Sequence, residues 1–457
     1  MAKTRIAGIR TDRLAAFRGA EAARYAAGRP KAKAALEAGA GAFLHRVPMH
    51  WMTDWPMPFP MLVERAEGAR LTCIDGFQVD DFCLGDTGSM FGHSPAPVAK
   101  AIRRQARRGL TYMLPTDAAL EAGRLLSAVF GDFRWQIATT ATDANRFALR
   151  VARGVTGRPR VLVFNGCYHG SVDDTLVTLR DGHTVNRPGL VGQVYDLSQG
   201  AVACEFNDLA GVEAALAGGD VAAVLTEPVM TNSCMVLPEA GFLEGLRAAC
   251  DRHGSLLIID ETHTQSSGRG GYTAVHGLRP DVFVVGKCVG GGMPVAAWGL
   301  SPSVAERFAT HEAAREPGFS GMGTTLSANP MQMACLVATL SEVATEAAYA
   351  KMEAGAARLA AGLSGVIARR GLPWHVVRVG ARVEFICAPG PLRNGAEAAH
   401  AHQPEVERAV HLGLLNRGCL IAPFHNMMLV SPVTKKRQID RLIAAFDEVT
   451  GALGEAA

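Results

Sequence analysis

The chain of 457 residues is 48 % hydrophobic and 19 % charged, enough apolar material for a sizeable core and too much for a disordered chain. Its 46 basic and 43 acidic side chains nearly cancel, which leaves no electrostatic reason to expect nucleic acid or an anionic membrane as a partner. Ten cysteines, none in a CxxC pair, argue against zinc ribbons and disulfide exchange; they read as small buried side chains of a reducing, cytoplasmic compartment, with no metal site. No apolar run approaches ~18 residues and the N-terminus has no hydrophobic signal segment, so neither a membrane span nor a leader is expected.

In chain order, residues 1–40 are rich in Ala, Arg and Glu and predict one or two surface helices. A turn-rich stretch, 47–60, follows with Trp51, Trp55 and four prolines. ARLTCIDGFQVDDFC then alternates apolar and polar residues around Asp75-Gly76, a hairpin signal. From about Ser94 helices and strands alternate. The strand candidates 160–164, 221–227, 255–261, 281–287 and 295–300 are near-continuous apolar runs, as expected of strands buried on both faces of a parallel sheet. Helical patterns lie at Thr142–Arg153, Leu209–Ala217 and Gly241–His253, and another closes the chain at Lys436–Leu453. The alternation predicts an α/β doubly wound large domain over 91–340. Segments 1–90 and 341–457 are expected to build a smaller α/β domain from both chain ends.

Open parallel sheets bind ligands beyond the carboxyl ends of their strands. Here those positions hold Tyr168-His169, Glu227, Asp260-Glu261 and Lys287. Lys287 leaves a buried strand before the flexible CVGGGMP, where desolvation favours a nucleophilic amine; the alternative is a lysine leaving the core for solvent. Asp260 ends the most apolar strand and needs a cation or strong donors, either a protonated pyridine nitrogen or a structural arginine. Thr139–Asp143 precedes a helical pattern, so it is either a phosphate seat or an ordinary N-cap. Tyr168, with His169, either stacks on a ligand ring or packs in the core. A condensing lysine, a carboxylate for a ring nitrogen, a phosphate seat and a stacking aromatic are together what pyridoxal 5'-phosphate (PLP) requires.

With these motifs, in order RRGLTYMLPTD, TATDANRFALRVARGVTGR, VLVFNGCYHG, TEPVMTNSCMVLP, LLIIDETHTQSSGR, GKCVGGGMPVAAWG and GTTLSANPMQMA, the sequence resembles the class III PLP-dependent aminotransferases of fold type I, nearest the glutamate-1-semialdehyde aminomutase branch. The resemblance implies a large domain with a mostly parallel sheet flanked by helices. It implies Lys287 as the Schiff-base lysine, Asp260 as the pyridine-nitrogen partner, Thr140, Ala141 and Thr142 as the phosphate loop, and Tyr168 as the stacking aromatic. Asn232 matches an asparagine near the phenolic oxygen, and Glu227 a support residue near the ring. Thr325 matches a threonine reaching the phosphate of a neighbouring subunit, which implies a homodimer with a shared site.

The departures carry information too. Ala141 replaces the usual glycine of the phosphate loop. Thr262 and His263 follow Asp260-Glu261 where the family has Val and then Gln or Met. Thr262 is expected over the ring's second face; His263 is expected either near the phenolic oxygen or as a supporting hydrogen-bonded histidine. The branch binds its substrate carboxylate through an arginine where this chain has His50. The glutamate that the branch uses late in the chain is not evident in IAPFHNMMLVSP. A pocket of His50, Trp51, Tyr112, Met113, Phe424, His425 and Met427 favours apolar or aryl groups. The expectation is therefore an aminotransferase moving an amino group from an amine, β-amino acid or bulky apolar amino acid to pyruvate or 2-oxoglutarate. The alternative is an aminomutase or racemase on the same scaffold.

Overall fold

A computed structural model of the chain describes residues 4–39, 41–422 and 424–454. The chain divides into two compact units, one formed by residues 1–94, 347–391 and 401–457, the other by 95–346 and 392–400.

The second unit is built on a seven-stranded sheet. Its strand order is Ala201–Cys204, Arg160–Phe164, Val221–Thr226, Leu256–Asp260, Val282–Val285, Ala296–Leu300 and Arg134–Ala138. The first five strands run parallel, and their apolar runs are buried throughout apart from half-buried Arg160 and Val202. Ala296–Leu300 is antiparallel to both neighbours, which corrects its reading as one more parallel strand. The reason is the length of its connection. A parallel crossover takes a dozen or more residues, usually a helix, and residues 286–295 are too few.

Helices cover both faces. On one, Ala141–Thr156 buries Ala144, Phe147, Ala148, Leu149, Val151 and Ala152 against the sheet. On the other, Phe242–His253 buries Leu243, Leu246, Ala249 and Cys250. Each stripe recurs at helical spacing, so each helix forms where it can bury one face. The first helix is bounded by its own sequence: Thr140 accepts the Asp143 N–H at 3.2 Å, and Gly157 closes it at φ +68°.

In the first unit the predicted hairpin forms, Arg70–Cys73 against Gln78–Asp81. Asp75 in its turn accepts the N–H groups of Lys31 and Ala32 at 2.7 and 3.1 Å, placing a carboxylate at the start of the helix Pro30–Ala38. The hairpin belongs to a four-stranded sheet with Val63–Glu67 and Cys419–Leu420. A second, three-stranded sheet joins His375–Val379, Arg382–Ile386 and Met427–Leu429. The helices Thr11–Ala27, Glu346–Arg370, Pro404–Asn416 and Lys436–Gly454 complete the unit around a core that includes Leu359, Phe385, Val410 and Phe446.

Candidate active site

The parallel strands of the second unit end together, and their ends carry the chemistry. Asp260 is the last residue of its strand and is 4 % exposed. One carboxylate oxygen accepts from Asn145 Nδ2 at 2.8 Å and faces His169 Nδ1 at 3.0 Å; the other accepts the Thr262 N–H at 3.0 Å. Burial pushes this carboxyl upward, but the His169 and Thr262 contacts outweigh it and hold Asp260 below the usual carboxylate range. His169 is its counterpart. Burial pulls the imidazole down, and neighbouring Cys167 and Asp260 outweigh that and push it up to about 10. Each group of the pair thus favours the charged form of the other. Among the described residues, no arginine contacts Asp260.

Lys287 lies just past the strand Val282–Val285, opens the short 3-10 turn Lys287–Gly290, and has φ +51°. Such a backbone is unfavourable for any residue with a side chain and persists only where its surroundings fix it. Its Nζ is 2.9 Å from His263 Nε2. Gln265, which nothing in the sequence singles out, links the two loops: its Nε2 donates to Thr262 O at 2.9 Å and Gly286 O at 2.8 Å. Glu261 anchors the same loop from below, accepting from Thr264 Oγ1 and from the N–H groups of Tyr272 and Thr273.

The loop Thr139–Asp143 leads into the helix Ala141–Thr156, with Thr140 as its N-cap. Ala141 fits because its neighbour is small: a Cβ on Gly286 would lie 3.0 Å from the Ala141 Cβ. Thr142 Oγ1 accepts the Ser171 N–H at 3.3 Å. Thr139 Oγ1 meets Ser327 Oγ at 3.1 Å, and Thr324 Oγ1 meets that same oxygen at 2.6 Å, so the GTTLSANP segment is pinned beside the loop. Thr325 itself is exposed, and Tyr168 is 46 % exposed. Glu227 is buried and accepts from Thr231 Oγ1 and, at 3.4 Å, from Asn232 Nδ2. Burial pushes its carboxyl up to about 7, against the charge of His169.

Five further candidates lie in the first unit. His50 and Trp51 sit on the exposed turn His50–Thr53, and the Trp51 ring meets Phe424 edge-on at 5.8 Å. His425 is buried 3.8 Å from both Asp86 and Glu384; burial lowers its pKa, and those two carboxylates push it up to about 9. Met427 is fully buried in the core of that unit. Tyr112 is exposed in the second unit.

The sequence profile of the class III aminotransferases matches residues 52–450. The chain belongs to that family. It is accordingly a PLP-dependent enzyme of fold type I. A glutamate-1-semialdehyde aminomutase from Pseudomonas aeruginosa PAO1 superposes with a TM-score of 0.95 at 46 % identity, covering 98 % of this chain and 100 % of its own. A lysine-to-alanine variant of it has been solved in complex with PMP. Glutamate-1-semialdehyde 2,1-aminomutase of Desulfitobacterium hafniense is 34 % identical over 403 residues, 86 % of this chain and 92 % of its own. A β-phenylalanine aminotransferase from Variovorax paradoxus is more distant, with TM-score 0.83 and 26 % identity over 96 % of this chain and 97 % of its own.

The residues present fit the cofactor. Three buried polar atoms around Asp260, namely His169 Nε2, Asn145 Oδ1 and Thr262 Oγ1, have no hydrogen-bond partner among the described residues. The Asp260 oxygen bonded to Thr262 keeps a second acceptor position for a protonated ring nitrogen.

Proposed function

We propose that the enzyme moves an amino group within one molecule, as an aminomutase of the glutamate-1-semialdehyde type. The observation that carries this reading is the likeness to the Pseudomonas aminomutase over nearly the whole chain at 46 % identity, against 26 % for the β-phenylalanine aminotransferase. It replaces transfer to a separate keto acid as the first reading.

When bound, pyridoxal phosphate supplies a carbonyl that condenses with amines and a ring that draws electrons from the bond broken at the amine-bearing carbon. Lys287 supplies the condensing amine, and its Nζ carries the proton from one carbon to the other. Asp260 keeps the ring nitrogen protonated. His169 and Asn145 fix the carboxylate that does so. The helix N-terminus at Thr140, Ala141 and Thr142 receives the phosphate through backbone N–H groups. Tyr168, Thr262, Asn232, His263 and Glu227 would hold the ring, Tyr168 and Thr262 by packing against it and Asn232 and His263 by hydrogen bonding, with Glu227 in support. A second copy of the chain completes the site through Thr325; the exposed apolar run of Leu110, Tyr112, Met113 and Leu114 supports such a partner.

A second reading, transamination of a bulky apolar donor, draws support from the exposed Trp51–Phe424 pair and from His50, which stands where the resemblance implies an arginine. One experiment separates the two. The PLP-loaded enzyme is given glutamate 1-semialdehyde alone, and products are followed by mass spectrometry. An isomer of the substrate's own mass, formed over many turnovers without an acceptor, is expected. A keto product formed once per cofactor and then stopping until pyruvate or 2-oxoglutarate is added overturns the aminomutase reading.

A further inference from the structure

The contact between Lys287 and His263 is built into the loops that carry both residues. Gln265 grips the backbone on either side, at Thr262 O and at Gly286 O, each one residue from a member of the pair. His263 is 4 % exposed, and its Nε2 stands 2.9 Å from Lys287 Nζ. At that distance one nitrogen donates and the other accepts. An ammonium has donors only, and a neutral imidazole has one ring nitrogen with a free lone pair. The lysine stem is long and flexible, and its backbone sits at an unfavourable φ of +51°, so the amine needs a fixed partner to keep one direction.

We propose that His263 is the positioning residue of Lys287: neutral His263 Nε2 accepts a hydrogen from Nζ and aims the amine, and a second proton on the ring releases it. This rests on Lys287 being the amine that condenses with the cofactor. Acceptance at Nε2 places the ring proton on Nδ1. When the ring becomes a cation the lone pair is lost and Nε2–H points at the amine, so the hold is broken by charge as well as by geometry. The carboxylates at the ends of the nearby strands have partners of their own. Asp260 is held by Asn145, His169 and Thr262; Glu261 binds Thr264 and the start of the helix Gly271–His276; Glu227 binds Thr231 and Asn232. On that short helix, Tyr272 and His276 stack on each other at 3.8 Å.

The test uses the full-length chain freed of cofactor. Pyridoxal 5'-phosphate is added between about pH 5.5 and pH 7.5, and the rate at which its absorption band with Lys287 develops is recorded for wild type, His263→Gln and His263→Leu. Gln accepts through its amide oxygen and takes up no proton in this range, so it cancels the pH dependence common to any amine. The ratio of wild-type to His263→Gln rates is expected to fall about tenfold from pH 7.5 to pH 5.5, across the range where imidazoles protonate. His263→Leu is expected to be about tenfold slower than wild type at pH 7.5. A ratio that stays constant, or a His263→Leu rate equal to wild type, overturns the proposal. Acetylation of Lys287 in the same cofactor-free proteins, read by mass spectrometry, gives the ratio again without PLP and without the Leu variant. If wild type forms no band at any pH, the assignment of Lys287 to the cofactor is what fails, and the acetylation ratio alone then decides for or against His263.

Discussion

A carboxylate buried at a strand end stays ionised only if its surroundings supply the donors that water would have supplied. Asp260 has them in Asn145, His169 and the Thr262 N–H. Asp260→Asn keeps the shape and removes the charge, so turnover is expected to fall at least ~100-fold with PLP still bound, checked by steady-state rates and cofactor absorbance. Lys287→Ala is expected to remove turnover altogether while thermal unfolding and assembly persist. Glu227 behaves in the opposite way to Asp260. Its folded carboxyl titrates at about 7, above the ordinary carboxyl value, so the folded chain holds the extra proton between those two limits. Stability from this group is therefore complete below the ordinary value and is lost as pH rises through about 7. Glu227→Gln keeps the acceptor for Thr231 and escapes that loss. It is expected to raise stability by roughly 1–3 kcal/mol at pH 8 and by almost nothing at pH 5, measured by denaturant unfolding at both.

At the scale of the elements, the site depends on close approach between loops. Gly170 has φ +83°, and a Cβ there would lie 2.1 Å from Thr142 Oγ1 and 2.9 Å from the Thr142 Cα. Gly170→Ala is expected to cost about 2–3 kcal/mol and to weaken PLP retention by displacing the first turn of the helix. Adding Thr142→Ala is expected to restore little, because the clash reaches the backbone. Gly286→Ala is tight only against the Ala141 Cβ, at 3.0 Å, its other neighbours lying at 3.5 Å, and is expected to cost about 1 kcal/mol or less, with Ala141→Gly recovering it. Much of this layer was legible in the sequence. The runs at 160–164, 221–227 and 255–261 match strands to within a residue, because strands buried on both faces need no alternation. Lys287 and Asp260 stood out because they interrupt such runs. The edge strand Arg134–Ala138 escaped because its residues alternate in exposure and its pattern is short. The direction of Ala296–Leu300 escaped because apolar periodicity carries no direction. Asn145 and Gln265 escaped for a different reason: a helix-interior amide and an amide in a loop become informative only once the fold brings Asp260 and Gly286 to them.

For the molecule as a whole, the proposed dimer can be read directly. The 48.3 kDa chain is expected to elute at about 97 kDa by light scattering. Charges at Met113 and Leu114, both strongly exposed, are expected to shift it to the mass of one chain and to loosen PLP. Family membership fixes the cofactor and the fold, while the departures that the sequence resemblance implies, at His50, Ala141, Thr262 and His263, leave room for members to diverge. One feature of the sheet limits how far such divergence can go. Because Ala296–Leu300 turns back beside Val282–Val285, the segment bearing Lys287 is an arch hung between two hydrogen-bonded posts. One residue inserted or deleted in that arch shifts the chain by roughly 3.3 Å, more than the whole length of a hydrogen bond. The span of the arch is therefore as tightly constrained as the identity of the amine it carries, and tolerated length changes are expected to fall in other loops.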